Sequence, residues 1–201
     1  MTGRGILDRL QIVAATATLT SAVWIVVGTV YLDRPGGGDA IKAPKPAASF
    51  AEGSTAAPVE GSLVVPVADV RAADLVDSFD QARGGRRHEA IDILAPAGTS
   101  VIAAAPGTVE KLHLSEAGGN TVYVRSDDRR TIFYYAHLAA YAPGLREGQH
   151  VTRGQPLGAV GSTGNADPSA PHLHFAILST HPAAKWSEPA VAINPFSLLK
   201  R

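Results

Sequence analysis

The 201-residue sequence contains no cysteine, which excludes disulfides and every zinc site built on thiolates. The same absence suits an oxidising compartment without identifying one. Lys plus Arg number 18 and Asp plus Glu number 18, so formal net charge is zero. No basic stripe with interleaved aromatics is present, and nucleic acid is not an expected partner. Glycine (20) and proline (14) are instead plentiful, a balance that favours a turn-rich β protein over a helical one. The length allows one domain with a proper core plus appendages.

The one long uncharged stretch covers residues 10–32. At about 23 residues it is long enough to cross about 30 Å of hydrocarbon as a helix. Gln11, Thr16, Thr18, Thr20, Ser21 and Thr29 dilute it, so it is only moderately hydrophobic. Arg4 and Arg9 precede it, which favours residues 1–9 on the cytoplasmic side and an exported remainder. A cleaved signal peptide is the competing reading, but its apolar region is shorter, about 7–15 residues, and ends at a small-residue site. This stretch ends in Val30-Tyr31-Leu32, so an uncleaved, single-pass transmembrane anchor is expected. A soluble core helix fits less well, because the stretch has no polar face. Residues 33–60, with Gly36-Gly37-Gly38 and Ala43-Pro44-Lys45-Pro46, cannot bury a core and read as a flexible tether spanning about 30 Å.

From residue 61 to 201 the pattern changes to short β-branched runs broken by turns. Val101-Ile102-Ala103 precedes Ala105-Pro106-Gly107, and Thr108-Val109-Glu110-Lys111-Leu112 follows. Thr121-Val122-Tyr123-Val124 and Thr131-Ile132-Phe133-Tyr134-Tyr135 flank the polar tip Asp127-Asp128-Arg129 and predict a hairpin. Further short strands are expected at Gln149-His150-Val151 and Leu157-Gly158-Ala159-Val160. No long stretch has a 3.6-residue period, so a mainly antiparallel β domain is expected.

Five residues of this domain suit metal chemistry: His88, Asp92, His137, His172 and His174. Three ligands can hold a zinc ion and leave a position for water, while two more histidines remain to handle protons. His88-Glu89-Ala90-Ile91-Asp92 invites comparison with His-Glu-x-x-His helices. A helix is implausible here, because Gly84-Gly85 lies upstream, Pro96 downstream, and Ile91-Asp92-Ile93-Leu94 alternates like a strand. On a straight strand His88 and Asp92 would stand about 13 Å apart, too far to share an ion. If both bind metal, His88 must lie in a bend before the strand, which the neighbouring glycines would permit. Glu89 then reads as solvent-facing rather than as a base. His172 and His174 share one strand face about 6–7 Å apart, with Leu173 and Phe175 turned to the core. His137 closes a strongly β run, and by itself fits a structural histidine as well as a proton-transfer group. His113, His150 and His181 read as surface or locally bonded groups. Arg83, Arg86 and Arg87 read as a solvated loop, with attraction of substrate carboxylates as the functional alternative. Gly161-Ser162-Thr163-Gly164 has the look of a phosphate loop but lacks the Lys-Ser/Thr and following helix, so a structural turn is favoured.

These residues, in this order, resemble the lysostaphin-type zinc endopeptidases of bacterial cell walls (peptidase family M23). The family pattern is His-x-x-x-Asp, a middle histidine after a strand, then His-x-His, here His88 and Asp92, His137, and His172-Leu173-His174. Ala95-Pro96-Ala97-Gly98-Thr99, Gly118-Gly119-Asn120-Thr121-Val122, Glu147-Gly148-Gln149-His150-Val151 and Gly161-Ser162-Thr163-Gly164 continue the match between them. The resemblance implies a small antiparallel β-sandwich or open barrel of the duplicated-hybrid-motif type, with a groove across its sheet. It implies Zn²⁺ held by His88, Asp92 and His174, with His137 and His172 as the catalytic histidines and His172 favoured as base. It implies peptidoglycan as the substrate, cut in its peptide stems or cross-links. With the anchor of residues 10–32, the expected place is the cytoplasmic membrane, with the catalytic domain on its outer, periplasmic or extracytoplasmic side. A non-catalytic amidase activator or wall-binding module of the same fold is the alternative. Such activators typically lack parts of the metal set, whereas all five residues are present here. The sequence departs from the family at Ala90 (often glycine), Asp80 (commonly glycine) and Ala176 (often glutamate), and by a longer loop over residues 164–170.

Overall fold

The computed structural model describes residues 63–201. The expected anchor and tether therefore lie outside the described residues. Among those described, no helix is long and apolar enough to cross a membrane.

The chain forms strands β1 (Ala82–Arg83), β2 (Arg86–Arg87), β3 (Ile91–Leu94), β4 (Ser100–Ile102), β5 (Gly107–Ser115) and β6 (Gly119–Arg125). It continues through β7 (Thr131–Leu138), β8 (Ala140–Tyr141), β9 (His150–Val151), β10 (Pro156–Ala159), β11 (His172–Ser179) and β12 (Val191–Ile193). A single helical turn, α1 (Pro195–Leu199), is capped by the Asn194 side chain, which accepts from the Phe196 N–H. Every strand pairing is antiparallel, as the turn-punctuated, β-branched sequence leads one to expect.

The main sheet runs β12-β11-β7-β6-β5-β9. Strand β11 divides its outer edge between two partners: β3 pairs with residues 172–175 and β12 with residues 177–179. A small sheet, β4-β10-β8, and the β1–β2 hairpin complete the fold. The expected hairpin is β6–β7, with Tyr123 opposite Tyr134.

One core is filled from both larger sheets. Val101 and Leu157 come from the small sheet, and Val109, Val122, Val124, Phe133, Tyr135, Leu173, Phe175 and Ile177 from the main one. Each such side chain contributes about 1.5–3 kcal/mol by leaving water. Tyr135 reaches across to accept a hydrogen bond from the Ala104 N–H at 2.9 Å, which satisfies a polar group that the core would otherwise strand. Arg125 is buried at the edge of β6, where it pairs with Glu110 and donates to the carbonyls of Arg129 and Ala184. These bonds tie the loop between β11 and β12 to the sheet, a role that sequence patterning did not reveal.

Candidate metal centre

Strand register brings the first two groups together. Asp92 of β3 lies directly opposite His174 of β11, and directly opposed residues have Cβ atoms about 4.5–5.5 Å apart. Along β11, Leu173 and Phe175 are fully buried, while His172 and His174 face the other way.

His88 arrives by a bend, as the spacing required, but the bend is not made by glycine. Gly84 and Gly85 form the β1–β2 turn, and the chain reverses at Glu89, whose φ of 57° is left-handed. Backbone bonds from His88 N to Gln81 O and from Glu89 N to Phe79 O, each 2.9 Å, hold this conformation. Ser78 supports both sides of the bend. Its carbonyl faces His88 Nδ1 at 3.0 Å and its hydroxyl accepts from the Asp92 N–H at 3.2 Å.

The ligand atoms converge closely. His88 Nε2 stands 3.0 Å from His174 Nδ1 and 3.1 Å from Asp92 Oδ1, and His174 Nδ1 stands 3.2 Å from the same oxygen. A carbonyl only accepts, so His88 Nδ1 carries the proton it gives to Ser78 and Nε2 presents a lone pair. Tetrahedral ligands about 2.0–2.1 Å from a zinc ion stand about 3.3–3.4 Å from one another. The near-equilateral triangle of His88, Asp92 and His174 therefore fits a small divalent cation, with two imidazoles and one carboxylate as donors.

The remaining two histidines border the same space. His172 Nε2 is 3.7 Å from Asp92 Oδ1, and its Nδ1 gives its proton to the Ala170 carbonyl at 2.8 Å. His137 sits 5.0 Å from His172 and 5.6 Å from His174, ring centre to ring centre. Its φ of 63° is left-handed, and the β6–β7 register slips beside it, between Asn120 and Val122. Such a bulge re-aims a side chain. His137 Nδ1 donates to the Thr163 carbonyl at 2.8 Å, which again leaves Nε2 bare. Thr163 is fixed in turn: its hydroxyl donates to Leu138 O and accepts from Asn120 N. Gly119, at a φ of 62°, admits this loop, since a Cβ there would overlap Thr163. The Gly161–Gly164 segment is thus a turn that positions His137.

Burial sets the charge states. It pushes His88 below an ordinary histidine, with Asp92 opposing and His174 assisting. Burial likewise lowers His137, against the Thr163 hydrogen bond. For Asp92 burial works upward, but the His174 hydrogen bond and the charges of His88, His174 and His172 prevail and hold it far below the usual carboxylate range. Burial raises Tyr134, which stands edge-on to His174 at 5.9 Å, so it stays a neutral phenol.

All five residues line one cavity of about 740 Å³, with Tyr134, Leu94 and Asp167 among its walls. Glu89 also reaches this wall and is exposed. His113, His150 and His181 lie elsewhere: His113 packs on Trp186, His150 pairs with Asp127, and His181 is exposed. The three arginines part company. All three line the cavity, but Arg83 is paired with Asp92 and Arg87 with Asp80.

Known proteins resemble this domain in sequence and in fold. The chain is 38% identical over 110 residues to the L-Ala--D-Glu endopeptidase of Bacillus subtilis, covering 52% of this chain and 33% of that protein. It is 37% identical over 93 residues to the peptidoglycan DD-endopeptidase ShyC of Vibrio cholerae, covering 46% of this chain and 20% of that protein. The chain thus spans a third or less of the length of these curated relatives. Among solved structures, the catalytic domain of lysostaphin from Staphylococcus simulans superposes with a TM-score of 0.51 at 28% identity, covering 63% of this chain and 90% of that one. The model of peptidase family M23 matches residues 86–186, from the arginines before His88 to Trp186, and by that match the chain belongs to peptidase family M23.

Proposed function

We propose that this protein is a zinc endopeptidase that hydrolyses peptide bonds of peptidoglycan. The observation that carries this reading is the convergence of two imidazole nitrogens and one carboxylate oxygen within a cavity that two further histidines border. The relatives named for peptidoglycan or for an L-Ala–D-Glu bond support the substrate class.

His88, Asp92 and His174 would hold the metal. When bound, zinc would polarise the scissile carbonyl and make water a usable nucleophile near neutral pH. His172 then acts as general base. Its Nδ1 proton is committed to Ala170, so Nε2 is free to accept a proton from the attacking water. Once protonated, the same nitrogen donates to the leaving amine. His137 faces the reacting centre from the next strand, with Nε2 free because Nδ1 is held by Thr163. Burial favours its neutral ring, so this bare nitrogen is a second acceptor beside the reacting centre, able to take or relay a proton. Tyr134, kept neutral by burial, adds a hydroxyl to the same wall of the cavity.

The same proposal places the domain outside the cytoplasmic membrane, held by residues 10–32 and carried on the tether of residues 33–60. The uncharged span and the preceding arginines support it. External protease acting on spheroplasts would remove the domain under this topology and spare it under the inverse one.

The catalytic reading is tested by digesting purified cross-linked peptidoglycan with the protein and measuring zinc on the same sample, with His172→Ala as control. One zinc per chain and loss of cross-linked fragments, absent with the variant, is the expected result. The fragments identify the bond. A chain with neither zinc nor cleavage would belong to the non-catalytic wall proteins of this fold.

A further inference from the structure

The carboxylate of Asp92 is divided between two sets of partners. Its Oδ1 faces inward, 3.1 Å from His88 Nε2, 3.2 Å from His174 Nδ1 and 3.7 Å from His172 Nε2. Its Oδ2 faces the β1–β2 hairpin and accepts from Arg83 Nη2 at 2.6 Å.

That contact is better built than an ordinary surface pair. The Asp92 side chain is only 17% exposed. The Arg83 guanidinium is clamped from behind, since Nε and Nη2 also donate to Gln81 Oε1 at 3.2 and 2.9 Å. Across the hairpin Arg83 is paired with Arg86, a like-charge opposition that is unfavourable by itself. Asp92 gives Arg83 an anionic partner in that setting. The hairpin is also tied to the chain before it, by the His88 N to Gln81 O bond and by the Arg87–Asp80 pair.

We infer that Arg83 is a positioning residue that occupies Asp92 Oδ2, so that this carboxylate offers a single oxygen to the metal. The inference rests on the metal reading of His88, Asp92 and His174. A carboxylate can bind a cation through one oxygen or both, and a hydrogen bond to the outer oxygen selects the first mode. With His88 and His174, a single oxygen from Asp92 would make three protein donors, the number at which catalytic zinc sites leave a position for water. Without Arg83, Oδ2 is free to turn inward and fill the space intended for water or for the substrate carbonyl.

The test loads the full chain with Co²⁺ in place of zinc and records the visible spectrum, whose intensity falls as coordination rises above four. Arg83→Met and Arg86→Met are compared with wild type. Each removes one positive charge from the hairpin, but only Arg83 touches Asp92. Arg83 is half exposed, and far-UV circular dichroism checks that each variant is folded. The expected result is a strong four-coordinate spectrum for wild type and Arg86→Met, and a loss of intensity for Arg83→Met. Arg83→Lys, which retains a donor, should recover most of it. An unchanged spectrum in Arg83→Met overturns the inference, as does an equal loss in Arg86→Met, which would trace the effect to net charge. A wild-type chain that binds neither Co²⁺ nor Zn²⁺ overturns the metal reading itself and this inference with it, so the two failures are distinguishable.

Discussion

His172 and His174 lie on one face of β11, in one cavity, yet their removal should have different consequences. His174 Nδ1 belongs to the triangle with His88 and Asp92, whereas His172 Nε2 stands 3.7 Å from Asp92 Oδ1. Four-ligand zinc sites bind with apparent free energies of about 10–16 kcal/mol, or roughly 3–4 kcal/mol for each protein ligand. His174→Ala should therefore weaken zinc about 10²- to 10³-fold, since each 1.4 kcal/mol is about tenfold. His172→Ala leaves all three triangle atoms in place and should keep zinc affinity within about threefold, well under 1 kcal/mol. Its turnover should nevertheless fall about 10²- to 10⁴-fold, the range for loss of a general acid or base. Competition with a chromophoric chelator gives the affinities, and release of peptide fragments from peptidoglycan gives turnover. Wild-type zinc affinity in His174→Ala, or loss of zinc in His172→Ala, would refute the assignment. Retained turnover in His172→Ala would move the base to His137.

Other consequences follow from burial and charge. Phe175 is fully buried between the strand that carries both histidines and the core, with its ring 5.2 Å from that of Tyr135. Phe175→Ala should cost about 3–5 kcal/mol of stability, read by chemical denaturation, and a loss under 1 kcal/mol would mean that β11 is held by other contacts. The metal-stripped protein should also lose stability with acid. His88 and His137 have folded pKa values pushed below their ordinary 6.5 by burial, so below that pH the unfolded chain takes up more protons than the folded one. The lowered pKa of Asp92 acts in the same sense at lower pH. Its contribution is present above about 3.9, the unfolded value, and is lost as pH falls through the folded one. Calorimetry in chelator should show a lower Tm at about pH 5.5 than at about pH 7.5, and a higher Tm in acid would contradict the burial of these groups.

The strands and the alternation along β11 were legible in the sequence because they are local. A period of two placed Leu173 and Phe175 in the core and turned both histidines the other way. The β6–β7 hairpin announced itself through Asp127-Asp128-Arg129 between two β-branched runs. Asp92 and His174 could be paired only by family resemblance, because their contact joins residues 82 positions apart and no local pattern encodes register over that distance. The bend at His88 followed from strand length, yet its maker was misplaced. Glycines mark left-handed backbone in a sequence, and here Glu89 takes that conformation because neighbouring backbone hydrogen bonds impose it. The same holds for His137, whose left-handed φ and Thr163 partner depend on a bulge and a distant turn. Arg83 was legible as a charge near the site, but its direction was not, since the hairpin that aims it at Asp92 is a tertiary feature.

Glu89 offers the sharpest separation of strain from chemistry. A carboxylate beside His88 in a metal site invites assignment as the base, as in His-Glu-x-x-His helices. The structure gives it a different setting. Glu89 is exposed at the cavity rim, and its backbone rather than its side chain does the structural work, through the left-handed φ and the bond to Phe79 O. Holding a non-glycine residue there costs on the order of 1 kcal/mol. Glu89→Gly removes that strain but raises the entropy of the unfolded chain by a similar amount, so stability should change by less than about 1 kcal/mol. Zinc affinity should hold, because His88 keeps its bonds to Gln81 and Ser78. Glu89→Gln leaves the backbone conformation nearly as it is and removes only the charge, so turnover should stay within about threefold of wild type. A fall of 10² or more in Glu89→Gln, with zinc retained, would make this carboxylate a proton-transfer group. His172 would then be left as a binding residue rather than the base. Running both variants separates the outcomes: a loss confined to Glu89→Gly would indict the bend, and a loss shared by the two would indict the charge.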